Sequence, residues 1–185
     1  MEAGTMTRRR FPPLTMDAMT PEQRTVADCA VSGPKQRLGD SLNLWLRSPG
    51  VAAPVHQLGE YARYSNTLSN RLKELAICLV TRHWQTQSTW DMHYAVAVRE
   101  GIDAAALDRI AAGDEPADLS GDDRIVYDFV VSLLAGGSMA DSVFGAARRR
   151  FGEAVMVDLI GLVGYYCLVC LNKNVDIVPV ADAGP

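Results

Sequence analysis

The chain has 185 residues, of which 48% are hydrophobic and 22% charged, and its formal net charge is −4. This length favours one domain with a sizeable core, because a chain of this size buries roughly 70% of its unfolded surface. The acidic balance argues against general nucleic-acid binding, which depends on many cationic contacts to phosphate. Two arginine triplets, residues 8–10 and 148–150, are too local to change this and are interpreted as a chain terminus and a solvated helix end.

Several features favour a cytoplasmic protein that does not bind membranes. The first arginine triplet precedes Phe11-Pro12-Pro13 rather than an apolar signal segment. The longest apolar stretch, residues 155–171, contains Asp158 and is short for a membrane span, so it predicts a buried core helix. We expect reduced, packed thiols at all four cysteines, which are Cys29, Cys78, Cys167 and Cys170.

The chain is predicted to begin with a mobile arm at residues 1–18. The first helix is predicted to begin at Pro21, with Thr20 as its N-cap and Gln23 as the reciprocal capping partner. This helix is expected to end at Gly33, which is followed by a proline.

Apolar periodicity and helix-stop residues predict the remaining elements. After a short apolar segment at residues 42–46, the next helix is predicted to begin at Pro54. Further helices are predicted at 69–83, 87–100, 103–110, 120–136, 140–150 and 153–172. Residues 175–180 are predicted to be extended. The chain is therefore interpreted as a single all-α domain, residues 19–180, followed by a tail at 181–185.

Two of these helices carry polar side chains that could form an acid/base site. Thr86, Thr89 and His93 recur at three- and four-residue steps and so share one helix face, with Trp90 beside it. If the preceding helix packs against this one as a hairpin, the Glu74 carboxylate can reach the imidazole, tune it and move a proton. The alternative is a histidine satisfied within the core and a solvated glutamate that favours the helix dipole.

Several short motifs each occur once, in an order and spacing that are specific when the motifs are taken together. They are Arg71 to Glu74, Trp90-x-x-His93, the Ala-Val-Arg-Glu-Gly segment at residues 97–101, Phe151-Gly152, Gly164-Tyr165-Tyr166 and Asn174. Their arrangement resembles the carboxymuconolactone decarboxylase and alkylhydroperoxidase D-like superfamily over about residues 68–178. The resemblance implies an alkylhydroperoxidase D-like helical bundle, here with an N-terminal helical extension. It also implies assembly into trimers, hexamers or dimers, with no metal or organic cofactor.

The resemblance further implies roles for the polar residues. In the peroxidase branch, a glutamate and a histidine flank a reactive cysteine pair; they correspond to Glu74 and His93, while Thr86 and Thr89 stand at the cysteine positions. A hydroxyl cannot replace a thiolate as a peroxide reductant. We therefore favour the decarboxylase branch, in which a lyase removes carbon dioxide from a small carboxylated lactone or aromatic-catabolism intermediate. The alternatives are an antioxidant hydroperoxidase-like protein and a non-catalytic oligomeric binding protein on the same fold.

An anionic substrate would need cationic and aromatic partners. A guanidinium matches a carboxylate, although each arginine taken alone is more often a surface residue. The substrate-binding candidates are Arg63, Arg71, Arg82, Trp90, Thr86 and Thr89. No metal site is expected, because His83 and His93 lack the spacing of helical ligands. The Cys167-x-x-Cys170 motif lies within an apolar helix and is interpreted as core packing.

Overall fold

The computed structural model describes residues 7–179, and this part of the chain is all-α apart from one short two-stranded sheet. Strand β1 (Thr7–Arg9) pairs antiparallel with strand β2 (Ile177–Pro179). The helices are α1 (Pro21–Ser32), α2 (Asp40–Trp45), α3 (Pro49–Glu60), α4 (Asn70–His83), α5 (Gln87–Arg99), α6 (Ala104–Ala112), α7 (Gly121–Ala135) and α8 (Asp141–Asp176). The predicted all-α class is confirmed.

The described residues form two compact units. The terminal unit consists of residues 7–57 and 171–179, and the core unit consists of residues 58–170. The single domain inferred for residues 19–180 stays a prediction. The tail at 181–185 lies outside the described residues.

In the terminal unit, the segment expected to be a mobile arm is held in place from residue 7 onward. The Arg9 guanidinium donates to the Asp176 carboxylate at 2.8 Å, and the Phe11 amide donates to the same carboxylate at 2.9 Å. Further along, the Leu14 amide donates to Asn43 at 2.9 Å. The mobile arm at residues 1–18 stays a prediction, and these contacts were not foreseen because the partners lie far away in sequence.

Local capping in the terminal unit agrees with the sequence at one helix and differs at another. Thr20 and Gln23 form both halves of the predicted capping box. The helix predicted to begin at Pro54 begins instead at Pro49, and Pro54 lies inside it. The carbonyl oxygen of Ser48 accepts hydrogen bonds from the Val51 and Ala52 amides, which begin the helix. Pro49 therefore lies in the first turn, where a missing N–H costs nothing.

The centre of the core unit is α4, which packs against α5, α6 and α7. Ser69 caps α4 by accepting from the Leu72 amide, and residues 72–81 are all buried. A short turn leads directly into α5, so the two helices form the hairpin on which contact between Glu74 and His93 depended. Within this turn Gln85 adopts a left-handed backbone conformation with φ of 53°.

The last helix, α8, is long and apolar. The helix is interrupted by a kink at Gly152, where φ is 78° and ψ is 169°. This position agrees with the helix boundary predicted between residues 150 and 153. By length and composition, α8 is the one helix among residues 7–179 that is long and apolar enough to cross a membrane. The core helix of a soluble protein meets the same test.

Candidate functional site

The α4–α5 hairpin brings Glu74 and His93 together inside the core unit. The His93 Nδ1 atom lies 2.5 Å from Glu74 Oε2. Only 1% of His93 and 6% of Glu74 are exposed. The glutamate is therefore a buried partner of the imidazole rather than a solvated first-turn residue.

The second ring nitrogen of His93 is the distinctive feature of this pair. An ionised carboxylate only accepts hydrogen bonds, so Nδ1 is the donor toward Glu74. The His93 Nε2 atom is buried and has no hydrogen-bond partner among the described residues. An unsatisfied buried polar atom is costly, and such atoms concentrate where a ligand or a reacting group supplies the missing partner. Nε2 is therefore the atom through which this pair can exchange a proton.

Tyr166 and Arg63 form a second layer around the imidazole. The rings of His93 and Tyr166 meet edge to face, with centroids 5.2 Å apart. Arg63 donates a hydrogen bond to the Tyr166 hydroxyl. Burial raises the pKa of Tyr166 well above its usual range, so the phenol stays neutral. Burial opposes the charge on Arg63, yet the polar contact with the Tyr166 hydroxyl and the nearby Glu74 carboxylate outweigh it and raise the pKa of the guanidinium.

Lys73 supports this layer from α4. Its ammonium donates to the Arg63 carbonyl oxygen at 3.1 Å, in the middle of the short π-helical turn Tyr61–Ser65. Burial, and then the charge of Arg63, lowers the pKa of Lys73. The sequence carried a signal for Tyr166 in its Gly-Tyr-Tyr motif, but no signal for its contact with Arg63.

Arg71 lies in an ion pair rather than in the Glu74–His93 cluster. It binds the buried carboxylate of Asp123 on α7, and its Nε donates to the Gly101 carbonyl oxygen at 3.3 Å. Asp123 lies in the first turn of α7, whose N-cap residue Ser120 makes no side-chain capping bond. Burial raises the pKa of Asp123, although Arg71 opposes this shift. Arg71 thus connects α4 to α7 and to the turn that follows α5.

A cleft of about 390 Å³ brings together three of the predicted substrate-binding residues, Arg82, Thr86 and Trp90. The remaining lining residues are Thr81, Gln85, Gln87 and Ala111. Thr89 is buried on the same face of α5 and is not part of this lining. The six candidates therefore separate into this cleft, the Arg63 layer beside Tyr166, the Arg71 ion pair and the buried Thr89.

The cysteines form no disulfide among the described residues, and three of them are at least half-buried. Burial raises the pKa of Cys78 to about 12 and that of Cys170 to about 11, so both thiols are neutral at pH 7. Cys167 accepts a hydrogen bond from the Trp84 indole at 3.2 Å. Cys29 is exposed, which corrects the expectation that every thiol is packed.

Metal chemistry has no obvious place in the part of the chain that the structure describes. Its histidine, cysteine and acidic side chains do not gather in groups of three or more that could hold an ion. The expectation of a metal-free, cofactor-free protein stays a prediction.

Comparison with known proteins adds no relative: no protein-family model and no curated protein sequence matches this chain. The superfamily resemblance therefore rests on the order of the sequence motifs.

Proposed function

We propose that this protein is a cofactor-free, cytoplasmic lyase of the carboxymuconolactone decarboxylase-like type. Its substrate is a small carboxylated lactone or a related intermediate of aromatic catabolism. The observation that carries the proposal is the buried Glu74–His93 pair, whose Nδ1 is occupied and whose Nε2 has no partner among residues 8–177. A purely structural histidine would be expected to satisfy both nitrogens.

The chemistry follows from this arrangement. Cleavage of the bond to the carboxylate releases carbon dioxide and leaves an electron pair on the neighbouring carbon, delocalised as a dienolate. A protonated His93 donates its Nε2 proton to that carbon, and a new C–H bond forms. The Glu74 carboxylate favours the imidazolium before transfer and orients the ring throughout. Solvent then returns the proton to the imidazole.

The first test is turnover by the wild-type protein on a panel of carboxylated lactones, followed by carbon dioxide release and the loss of lactone absorbance. We expect decarboxylation of at least one member without added metal or cofactor. Inactivity on the whole panel would favour the remaining alternative, a non-catalytic oligomeric binding protein.

Thiol-dependent peroxide reduction is expected to be absent. Thr86 and Thr89 offer no thiol, and Cys170 is buried with a pKa raised to about 11. The measurement is peroxide consumption with a dithiol reductant, for the wild type and for the double variant Cys167→Ser/Cys170→Ser. Robust consumption that the double variant lacks would contradict this expectation and support the hydroperoxidase-like alternative.

We also propose that the protein is a homo-oligomer, a trimer or a multiple of three. In the core unit, one side of α8 exposes an apolar stripe made of Val157, Ile160 and Leu168, with exposed fractions of 65%, 46% and 40%. Tyr61 is 48% exposed and donates to Asp158 beside this stripe at 2.8 Å. Helical apolar stripes of this spacing pack against other helices, and homo-oligomers commonly bury them.

Replacing Ile160 by Glu is expected to dissociate the oligomer, because a carboxylate in a buried apolar interface is strongly unfavourable. The measurement is light scattering of both proteins at micromolar concentration. The matched control is Val131→Glu, since Val131 is 40% exposed on α7 and lies outside the stripe. A monomeric wild type, or an Ile160→Glu protein of unchanged mass, would contradict the assembly.

A further inference from the structure

Arg82 is the arginine that lines the cleft of the core unit. Its Nε donates to the Ala111 carbonyl oxygen at 2.6 Å, which restrains the guanidinium at the edge of the cleft. Within residues 8–177, no carboxylate lies within ion-pair distance of Arg82. Elsewhere in the core unit, Arg71, Arg124 and Arg150 bind carboxylates. Arg109, like Arg82, donates its Nε to a backbone carbonyl oxygen.

The cleft beside Arg82 has the volume of a small-molecule site and a mostly polar lining. Its volume of about 390 Å³ falls within the range of ligand pockets in proteins. Gln85, Gln87 and Thr86 provide hydrogen-bonding groups, and Trp90 adds an aromatic surface.

We propose that this cleft binds a small organic carboxylate, with Arg82 as the residue that recognises the anionic group. A restrained guanidinium with its terminal nitrogens unpaired suits a carboxylate, because two parallel N–H donors match the two carboxylate oxygens. Trp90 and Thr86 contact the rest of the ligand. The cleft shares α5 with His93, which lies one turn beyond Trp90. The role of Arg82 as an anchor for the substrate rests on the proposed function. The binding of a small carboxylate in the cleft does not.

The test measures binding without turnover, using benzoate as the probe and calorimetry or tryptophan fluorescence as the readout. We expect the wild type to bind benzoate, and Arg82→Gln to weaken this binding by about tenfold or more, as for a lost charge-assisted hydrogen bond. Arg82→Lys, which keeps the charge but loses the planar fork, should fall between the two. Benzamide, the neutral analogue, and inorganic phosphate should bind less tightly than benzoate.

The matched control is Arg99→Gln, which removes an equal charge from an exposed position at the end of α5. It should bind benzoate as the wild type does, and circular dichroism should report the same helix content for all variants. Unchanged affinity in Arg82→Gln would overturn the proposal. So would loss of benzoate binding in His93→Gln alone, since the anion would then lie at the histidine. Because no catalysis is measured, benzoate binding in an inactive protein would refute the lyase proposal and leave the binding cleft standing.

Discussion

Replacing His93 by Gln is expected to lower turnover by about 10²–10⁴-fold, the usual loss when a general acid or base is removed. Glutamine roughly conserves the shape of the imidazole and can still donate to Glu74, but it cannot carry a proton. The fold should therefore remain nearly intact. Turnover per folded molecule and the melting temperature are measured together, so that lost chemistry is separated from lost protein.

The matched variant is Glu74→Gln, which keeps a hydrogen bond to His93 but removes the charge that stabilises the imidazolium. It is expected to lose less activity than His93→Gln. If the pair were only structural, His93→Gln would cost about 1–3 kcal/mol of unfolding free energy, with little effect on turnover. Full activity in a destabilised His93→Gln protein would rule out the catalytic role.

Replacing Asp176 by Ala is expected to lower the free energy of unfolding by about 3 kcal/mol, as for a buried ion pair that loses one partner. Asp176 is 1% exposed and accepts hydrogen bonds from the Arg9 guanidinium and the Phe11 amide. The loss of this carboxylate leaves both donors without their acceptor and weakens the attachment of strand β1. Urea unfolding monitored by circular dichroism measures the change.

The control for Asp176→Ala is Asp40→Ala, which removes another carboxylate that pairs with Arg9, at 3.8 Å. Because the Asp40 side chain is 63% exposed, we expect a loss of at most about 1 kcal/mol. An equal loss in the two variants would contradict the view that Asp176 holds the N-terminal segment.

The contribution of Asp176 should also depend on pH. Burial alone would raise the pKa of Asp176, but the hydrogen bonds from Phe11 and Arg9 outweigh it and lower the pKa below the usual aspartate value. A carboxylate with a lowered folded-state pKa stabilises fully above its unfolded pKa and loses this effect as the pH falls through the folded value. The stability difference between wild type and Asp176→Ala should therefore shrink on acidification and stay constant near neutral pH.

Local chemistry made much of the helical framework predictable from the sequence. The Thr20 capping box and the Asp103 N-cap are bonds between atoms only two or three residues apart. Gly113 and Gly152 end helical segments at φ of 87° and 78°, a backbone conformation that glycine adopts with little strain. The sharing of one helix face by Thr86, Thr89 and His93 likewise follows from the helical repeat alone. These features depend on neighbours in the chain, so the sequence by itself determined them.

Contacts between residues far apart in sequence were decided only by the tertiary structure. Glu74 and His93 were plausible partners, but their meeting depended on how α4 packs against α5. The local sequence does not show that Arg63, Arg71 and Arg82 have different partners. Tertiary packing places Tyr166 beside the first and Asp123 beside the second, and restrains the third at the edge of a cleft by a bond to a backbone carbonyl.

The pairing of β1 with β2 has the same origin, because Arg9 and Ile177 are partners from opposite ends of the chain. A three-residue strand has too little periodicity of its own to be recognised, and its stability comes from the partner strand and from the Arg9–Asp176 ion pair. The sequence therefore determined where helices begin and end. Packing between distant segments determined which polar atoms are satisfied, and His93 Nε2 is among the buried side-chain atoms that it leaves without a hydrogen-bond partner in the described part of the chain.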